Sequence, residues 1–131
     1  MAVETKDYIL GVERAELERL RFQHTVWTEQ MYALLVRAGV RAGQRALDLG
    51  CGPGFTTVEI ARLIGEGGHV LARDQSAGFL EFLAQERERL GLSWIEPSLG
   101  SVETLELEPG SIDVAYARWL FCWLPDPLPA V

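Results

Sequence analysis

The sequence contains no long apolar run, little cysteine or histidine, and no excess of positive charge. A transmembrane helix needs about 20 apolar residues, and no stretch of the 131 residues approaches that length. The net charge of −7 disfavours a nucleic-acid interface, because such interfaces are basic. We therefore expect neither a membrane nor a nucleic acid as a partner.

The two cysteines, Cys51 and Cys122, do not suggest a disulfide framework, and His24 and His69 show no metal-ligand spacing. The first seven residues lack the basic and apolar regions of a signal peptide. We therefore expect a cytoplasmic protein without a metal site. Apolar content of 48% and charged content of 24% are typical of a globular chain of one domain at most.

The most informative segment of the chain runs from Arg45 to Phe55. A short apolar strand in this segment ends at Asp48, and helical apolar spacing begins just after it. The intervening loop contains three alternating glycines separated by Cys51 and Pro53, namely Gly50, Gly52 and Gly54. Glycine permits positive φ and lets a ligand approach the backbone. A glycine turn between a strand and a helix predicts the cofactor cradle of a doubly wound α/β fold.

The glycine spacing argues against two common nucleotide sites. The dinucleotide motif G-x-G-x-x-G would need glycine where Phe55 stands, and no Gly-Lys-Ser/Thr follows, as a P-loop requires. The Asp48 carboxylate would repel a pyrophosphate and favour a cationic ligand. The remaining alternative is a glycine-rich turn that binds nothing.

The segment closely resembles motif I of the class I S-adenosylmethionine (SAM)-dependent methyltransferases. The resemblance implies a Rossmann-like, three-layer α/β/α fold with a mainly parallel sheet. It also implies that SAM is the cofactor, that S-adenosylhomocysteine (SAH) is its product, and that the methyl acceptor is an unidentified small molecule. SAM carries the cationic amino and sulfonium groups that Asp48 would favour.

The rest of the chain alternates helices and strands, as a βαβ fold requires. Apolar spacing predicts helices over 56–64 and 77–90, the second with Ser76 as its N-cap and Gly91 at its end. Further strands are predicted at 69–73, 92–95 and 112–117.

Residues 1–40 are predicted to form an N-terminal helical cap, and residues 41–131 a SAM-binding α/β domain. Thr25 and Thr28 suggest a break between two helices. The helical apolar positions before the stop at Gly39 are Trp27, Met31, Leu34, Leu35 and Ala38. The cap either covers the sheet or closes the cofactor pocket with Tyr8, Leu10 and Gly11. The second alternative rests on a weak resemblance to some small-molecule methyltransferases, which includes Arg19, Leu20 and Gln23.

Asp74 ends the second predicted strand, 24 positions after Gly50, and Gln75 follows it. This spacing is close to that at which an acid accepts the ribose hydroxyls of a cofactor. Charge assistance would strengthen those hydrogen bonds. Alternatively, Asp74 is a surface acid that interacts with the dipole of the helix after Ser76.

A departure from the family pattern follows the third strand. Many relatives carry Gly-Asp-Ala there, and the acid meets the adenine amino group. Here Ser101 replaces that acid with an uncharged hydroxyl, so the backbone of Ser101 and Val102 is expected to do most of the adenine recognition. An ordinary surface loop is the alternative.

Arg118, at the carboxyl end of the fourth predicted strand, is expected to face the cofactor or substrate cleft. Asp113, near the start of that strand, has a structural role, and Cys122 is a small buried hydrophobe. The aromatic run after the strand either lines the acceptor pocket or packs in the core; it comprises Trp119, Phe121, Trp123 and Leu124.

The family sheet has seven strands in the order 3-2-1-4-5-7-6, and this sequence supplies the first four. We therefore expect the order 3-2-1-4, with the fourth strand as an exposed edge that pairs with a second copy as a homodimer. The chain is then a fragment, a shortened form, or a domain completed by self-association. The sequence does not choose among these.

Three functions remain open. The first is a SAM-dependent methyltransferase, or its cofactor-binding portion, in which no residue can be assigned as catalytic. The second is a non-catalytic SAM/SAH-binding module that self-associates through its fourth strand. The third is an NAD-dependent oxidoreductase fragment, which Phe55 disfavours. Turnover of SAM, binding without turnover, and binding of NAD would distinguish them.

Overall fold

The computed structural model describes residues 8–9, 12–118, 120–121, 124–126 and 128. Three α-helices occur in these ranges: α1 (Arg14–Arg37), α2 (Phe55–Ile64) and α3 (Ala77–Leu90). The main sheet comprises β3 (Arg45–Leu49), β4 (His69–Asp74), β5 (Ile95–Leu99) and β6 (Val114–Ala117). Two short strands, β1 (Tyr8–Ile9) and β2 (Val12–Glu13), form a separate antiparallel pair before α1.

The main sheet is parallel, with the strand order β5-β4-β3-β6. This confirms the predicted Rossmann-like order 3-2-1-4. Leu47 of the central strand pairs in register with Leu71 on one side and Ala115 on the other. Residues 46–49 are all buried, as expected for a central parallel strand covered on both faces.

All three helices contribute to the core on one face of the sheet. There Ala46 and Val70 pack with Leu35 of α1, Ile60 of α2 and Leu83 of α3. The opposite face is covered, in the part of the chain that the structure describes, by loops and a 3-10 turn, Val102–Thr104. Its cluster consists of Leu47, Leu49 and Val102, with partly buried residues that include Leu105, Leu120 and Leu124.

The predicted helix boundaries after the glycine loop are confirmed to within one residue. The Ser76 hydroxyl accepts a hydrogen bond from the Phe79 N–H, which satisfies one free donor at the start of α3. Gly91 ends the helix in the left-handed conformation, at φ +68°. The buried residues of α3 are Leu80, Phe82 and Leu83, whereas Phe79 and Leu90 are only partly buried.

The predicted bounds of the third strand, 92–95, are wrong, because β5 starts where that prediction ends. The Ile95 N–H donates to the Leu92 carbonyl and closes a turn, so Leu92 enters the core before the strand begins. Pro97 made the true strand difficult to predict. It is tolerated because, among the strands that the structure describes, β5 lies at the edge of the sheet and pairs only with β4. Strand β6 begins at Val114, two residues later than predicted.

The predicted break at Thr25 and Thr28 is also wrong, because α1 is one helix. Each threonine hydroxyl donates to the carbonyl four residues earlier, at Arg21 and His24 respectively, so both side chains are satisfied within the helix. The buried residues of α1 are Leu17, Met31 and Leu35. The predicted apolar positions Trp27 and Leu34 are 44% and 56% exposed.

Five residues that carried predictions lie outside the described ranges: Leu10, Gly11, Trp119, Cys122 and Trp123. Asp113 has the expected structural position, since its carboxylate accepts hydrogen bonds from the backbone and guanidinium of Arg45. Across the described residues, no helix is both long and apolar enough to cross a membrane.

The turn before β4 provides a test of the packing. A Cβ added at Gly68 would lie 2.4 Å from the Gln44 carbonyl oxygen and 2.1 Å from Ile64 Cγ2, whereas one at Gly67 meets nothing within 4 Å. We expect Gly68→Ala to lower the free energy of unfolding by about 1–3 kcal/mol through overpacking. Gly67→Ala should change it by less than about 0.5 kcal/mol. Urea denaturation of both variants measures the difference, and equal losses would contradict the close approach.

Candidate functional site

The glycine loop between β3 and α2 folds over the carboxyl end of β4. The backbone N–H groups of Gly50 and Cys51 both donate to the Arg73 carbonyl, at 2.8 and 3.1 Å. The Gly52 N–H donates to Asp74 Oδ2 at 2.9 Å. These bonds require a tight path, and all three predicted glycines have positive φ, which other residues adopt only with strain.

Two of these glycines face different surroundings. A Cβ at Gly54 would lie 2.3 Å from Leu83 Cδ1, so this position lets α2 and α3 pack closely. A Cβ at Gly52 meets nothing within 4 Å, because Gly52 borders a cavity. The missing side chain at Gly54 therefore allows the helices next to the loop to pack closely, whereas the missing side chain at Gly52 leaves room for a ligand in the cavity.

The first cavity, which we call the α1 cavity, lies between the loop and helix α1 and has a volume of about 430 Å³. The structure brings six predicted site residues to its wall: Asp48, Gly50, Cys51, Gly52, Pro53 and Arg118. The α1 side of the cavity consists of Glu16, Arg19, Leu20, Gln23 and His24, whose spacing of three and four residues defines one face of a helix.

The second cavity, which we call the β4–β5 cavity, lies on the other side of Gly50 and has a volume of about 240 Å³. Its predicted members are Asp74, Gln75, Ser101 and Val102, and Gly50 lines both cavities. Every predicted site residue except Gly54 therefore borders one of two neighbouring cavities. Of the aromatic run after β6, Leu124 lines the β4–β5 cavity and Phe121 lines neither.

Asp74 uses both of its carboxylate oxygens to hold backbone groups. Oδ2 accepts from Gly52 N–H, and Oδ1 accepts from Ser76 N–H at 2.8 Å. A carboxylate oxygen has more than one acceptor position, so these bonds leave Asp74 able to accept ligand hydroxyls. The two alternatives for Asp74, ribose binding and a role at the start of α3, are therefore compatible.

Asp48 is a buried acid at the centre of the site, with 2% of its surface exposed. Its Oδ2 accepts a hydrogen bond from the Thr57 hydroxyl at 2.7 Å. Burial raises the pKa of Asp48 to about 7, although the Thr57 hydrogen bond and the Arg118 charge lower it. The side chain is therefore poised between its neutral and ionised forms near neutral pH.

Cys51 lies on the cavity wall as a neutral thiol. Burial first, and then the carboxylates of Asp48 and Asp74, raise its pKa far above the ordinary range. Thiolate chemistry is therefore disfavoured at this position. Over the described residues, there is no group of three or more His, Cys, Asp or Glu side chains that could hold a metal ion.

Arg73 is a structural member of the site that sequence reasoning missed. Its guanidinium donates to the Ser98 hydroxyl and to the backbone carbonyls of Leu99 and Ser101, at 2.9–3.1 Å. It therefore shapes the loop that borders the β4–β5 cavity. The position in the sequence that relates to this contact is Gly100. A side chain there would collide with the arginine, because a Cβ at Gly100 would lie 2.3 Å from the Arg73 guanidinium.

His24, Phe55 and Tyr116 also line the α1 cavity and were not predicted as site residues. His24 had been considered only as a metal ligand. Its ring stacks on Phe55, with 5.8 Å between ring centroids. The helical spacing from Glu16 to His24 could have revealed this wall, but only if the direction in which α1 faces had been known.

Comparison with known proteins identifies a family. The profile of a family described as "Methyltransferase domain" matches residues 46–131. Trans-aconitate 2-methyltransferase of Rhizobium etli is 38% identical over 96 residues, which cover 72% of this chain and 34% of that protein. Demethylmenaquinone methyltransferase of Oceanobacillus iheyensis is 30% identical over 91 residues, which cover 70% of this chain and 37% of that protein. The chain thus spans about a third of the length of these curated relatives.

A solved structure supports the same relationship. A SAM-dependent methyltransferase from Aquifex aeolicus superimposes with a TM-score of 0.70 at 25% identity. The match covers 76% of this chain and 53% of that one.

The buried acid provides a pH-dependent test. The ordinary pKa of Asp48 is 3.8 and its folded value is about 7, so the folded state holds an extra proton between these values. The unfolding free energy should fall as pH rises through this window. Asp48→Asn removes this contribution, so the wild type should lose more stability than the variant between about pH 4.5 and 7.5, by at most on the order of 4 kcal/mol.

Urea denaturation of both proteins at several pH values measures this difference. The exposed Asp126 supplies the control variant Asp126→Asn, which should follow the wild type. Parallel pH profiles for Asp48→Asn and the wild type would show that Asp48 is ionised in the folded state throughout.

Proposed function

Because this chain belongs to the class I, Rossmann-like family of SAM-dependent methyltransferases, we propose that it binds SAM across its glycine loop and takes part in methyl transfer to a small molecule. The observation that carries this proposal is the pair of cavities that meet at Gly50. SAM has a cationic methionine end and an uncharged adenosine end. One cavity contains the buried acid Asp48, and the other contains Asp74 and the Ser101 loop.

In this proposal, the methionine end of SAM lies in the α1 cavity. Asp48 would face its positive charge, which favours the ionised form of the carboxyl. Gly50 and Gly52 leave room for the ligand beside the backbone. The other residues assigned to this end are Cys51, Pro53 and Arg118, and Gly54 supports the loop from below.

The adenosine end would then occupy the β4–β5 cavity. Asp74, with Gln75 beside it, would accept the ribose hydroxyls through charge-assisted bonds. Ser101 and Val102 would contact adenine, and their loop is already held by Arg73. SAM supplies a methyl group activated by its sulfonium, and the protein binds and orients the reactants.

The acceptor in this proposal is a small molecule. The two relatives described above are named for methylation of trans-aconitate and demethylmenaquinone. The α1 cavity, at about 430 Å³, is in the range of small-ligand pockets. Residues 1–40 would form the cap over this cavity, and residues 41–131 the SAM-binding part.

A second candidate is a non-catalytic SAM/SAH-binding module that pairs through β6. It is favoured by the position of β6 at the edge of the described sheet, where one side of the strand offers backbone groups for pairing. Light scattering would give the mass of a dimer, and SAM binding without turnover in the presence of small-molecule acceptors would favour this candidate.

Two glycines provide a matched test of cofactor binding. Gly52 and Gly110 have φ of +57° and +74°, and a Cβ at either meets nothing within 4 Å; only Gly52 borders the proposed site. We expect Gly52→Val to abolish SAH binding, because its side chain would fill the ligand's space. Gly110→Val carries a similar backbone strain and should retain the wild-type affinity.

Calorimetric titration with SAH, with NAD as a control ligand, measures these affinities. Unchanged SAH binding by Gly52→Val would remove the glycine loop from the proposed site. Binding of NAD in preference to SAH would contradict the proposal as a whole.

Asp74 provides a test of ribose recognition. We expect Asp74→Ala to weaken SAH binding by about 1–3 kcal/mol, the cost of losing charge-assisted hydrogen bonds. Asp74→Asn keeps an oxygen acceptor but loses the charge, so its effect should be intermediate. Calorimetry gives both affinities, and thermal unfolding checks the loop contacts. A loss below about 0.3 kcal/mol for Asp74→Ala would assign the side chain only to the turn.

A further inference from the structure

The part of the α1 cavity lined by aromatic side chains has features that a methionine group does not require. Three aromatic side chains, Phe55, Phe79 and Tyr116, border the cavity together with His24 and Arg118. Aromatic rings favour a flat, apolar ligand, whereas the histidine and the arginine favour a polar, acidic atom. A small phenol combines both properties.

The His24 ring is held in place by neighbouring aromatic groups. It stacks on Phe55 at an interplanar angle of 29°. Phe55 in turn packs edge-on against Phe82 at 6.0 Å, and Phe82 is buried with Leu17 in a small core cluster. Because Phe55 is the first residue of α2, these contacts hold the imidazole near the glycine loop.

Burial and the Arg118 charge favour the neutral form of His24. Burial, followed by the Arg118 charge, lowers the pKa of His24, and Glu59 of α2 acts weakly in the opposite direction. Arg21 of α1 adds a cation 5.3 Å above the Phe55 ring. His24 is therefore a free base near neutral pH and can accept a proton.

The other titratable groups on this wall are less suitable as bases. The Glu16 carboxylate accepts two hydrogen bonds from Arg19, at 2.7 and 2.9 Å, and these bonds lower the pKa of Glu16, which makes it a weaker base. Tyr116 remains protonated because burial raises its pKa. Asp48 is assigned to the positive charge of the cofactor, which favours its ionised form and makes it a weaker base. The Arg118 charge lowers the pKa of the Tyr116 phenol, and it would act in the same direction on a phenol bound beside it.

We propose that the α1 cavity receives a small phenolic acceptor and that His24 is the catalytic base that takes the proton of its hydroxyl. This inference rests on the proposed methyl transfer. The O–H bond breaks, and its proton moves to an imidazole nitrogen. The electron pair left on oxygen forms the new bond to the methyl carbon of SAM. The carbon–sulfur bond breaks, and its electron pair stays on sulfur, which yields SAH, the methyl ether and imidazolium.

The probe for this proposal is 4-nitrophenol, because its phenolate is coloured and its ionisation can be measured without turnover. It is titrated into the chain across a range of pH, with and without saturating SAH. We expect saturable binding and phenolate absorbance at a pH at least about one unit lower than in free solution. In His24→Asn, this shift should fall by more than half.

The second histidine of the chain supplies the control. His69 lies on β4, is about half exposed and bonds to Glu96, so His69→Asn should leave the shift unchanged. His24→Phe keeps an aromatic ring against Phe55 without a basic nitrogen, and it should match His24→Asn. Thermal unfolding verifies that each variant folds.

A nuclear magnetic resonance titration of the two imidazoles provides an independent readout. At neutral pH, His24 should be neutral in the SAH complex and should become protonated when 4-nitrophenol is added, whereas His69 should not respond. Failure of 4-nitrophenol to bind, or an unchanged shift in both His24 variants, would overturn this inference even if SAH binds. Failure of SAH to bind would contradict the proposed function, and the titrations without SAH would still decide the role of His24.

Discussion

One residue of β4 connects the two loops on which the candidate site depends. The Arg73 carbonyl accepts the N–H groups of Gly50 and Cys51, while its guanidinium holds Ser98, Leu99 and Ser101 on the other side. Each of these hydrogen bonds satisfies a backbone or hydroxyl group that would otherwise need water as its hydrogen-bond partner. The two cavities therefore take their shape from a residue that belongs to the sheet, and parallel pairing with β3 keeps Arg73 in register with Leu49.

The electrostatics of the site follow from burial combined with a small number of charges. Asp48 is buried beside Thr57, and its pKa lies near 7, so a cationic ligand would shift it towards the ionised form. The Arg118 charge lowers the pKa values of Asp48, His24 and Tyr116. A single arginine at the end of β6 thus acts on the acid of the proposed cofactor end and on two groups of the proposed acceptor end.

Local sequence was sufficient where a conformation depends on a few neighbouring residues. Positive φ at the loop glycines, the Ser76 cap and the Gly91 stop are such cases, because each follows from the stereochemistry of one or two residues. One prediction failed where an element depends on distant partners. Pro97 occupies β5 because that strand lies at the edge of the described sheet. The break predicted at Thr25 and Thr28 failed for a local reason, since their hydroxyls bond to the preceding turn of α1.

The resemblance to the methyltransferase family implied the order of the strands. The sequence by itself determined the alternation of helices and strands, the glycine loop and the acids Asp48 and Asp74, which point to that family. Regular apolar patterns and backbone stereochemistry carry that information locally. Only the tertiary structure decided which face of α1 meets the loop, and so placed His24 and Phe55 in the same cavity as Arg118. It also joined Arg73 to the Ser101 loop across 28 positions of sequence. Such contacts depend on how separate elements pack, and no local pattern specifies them.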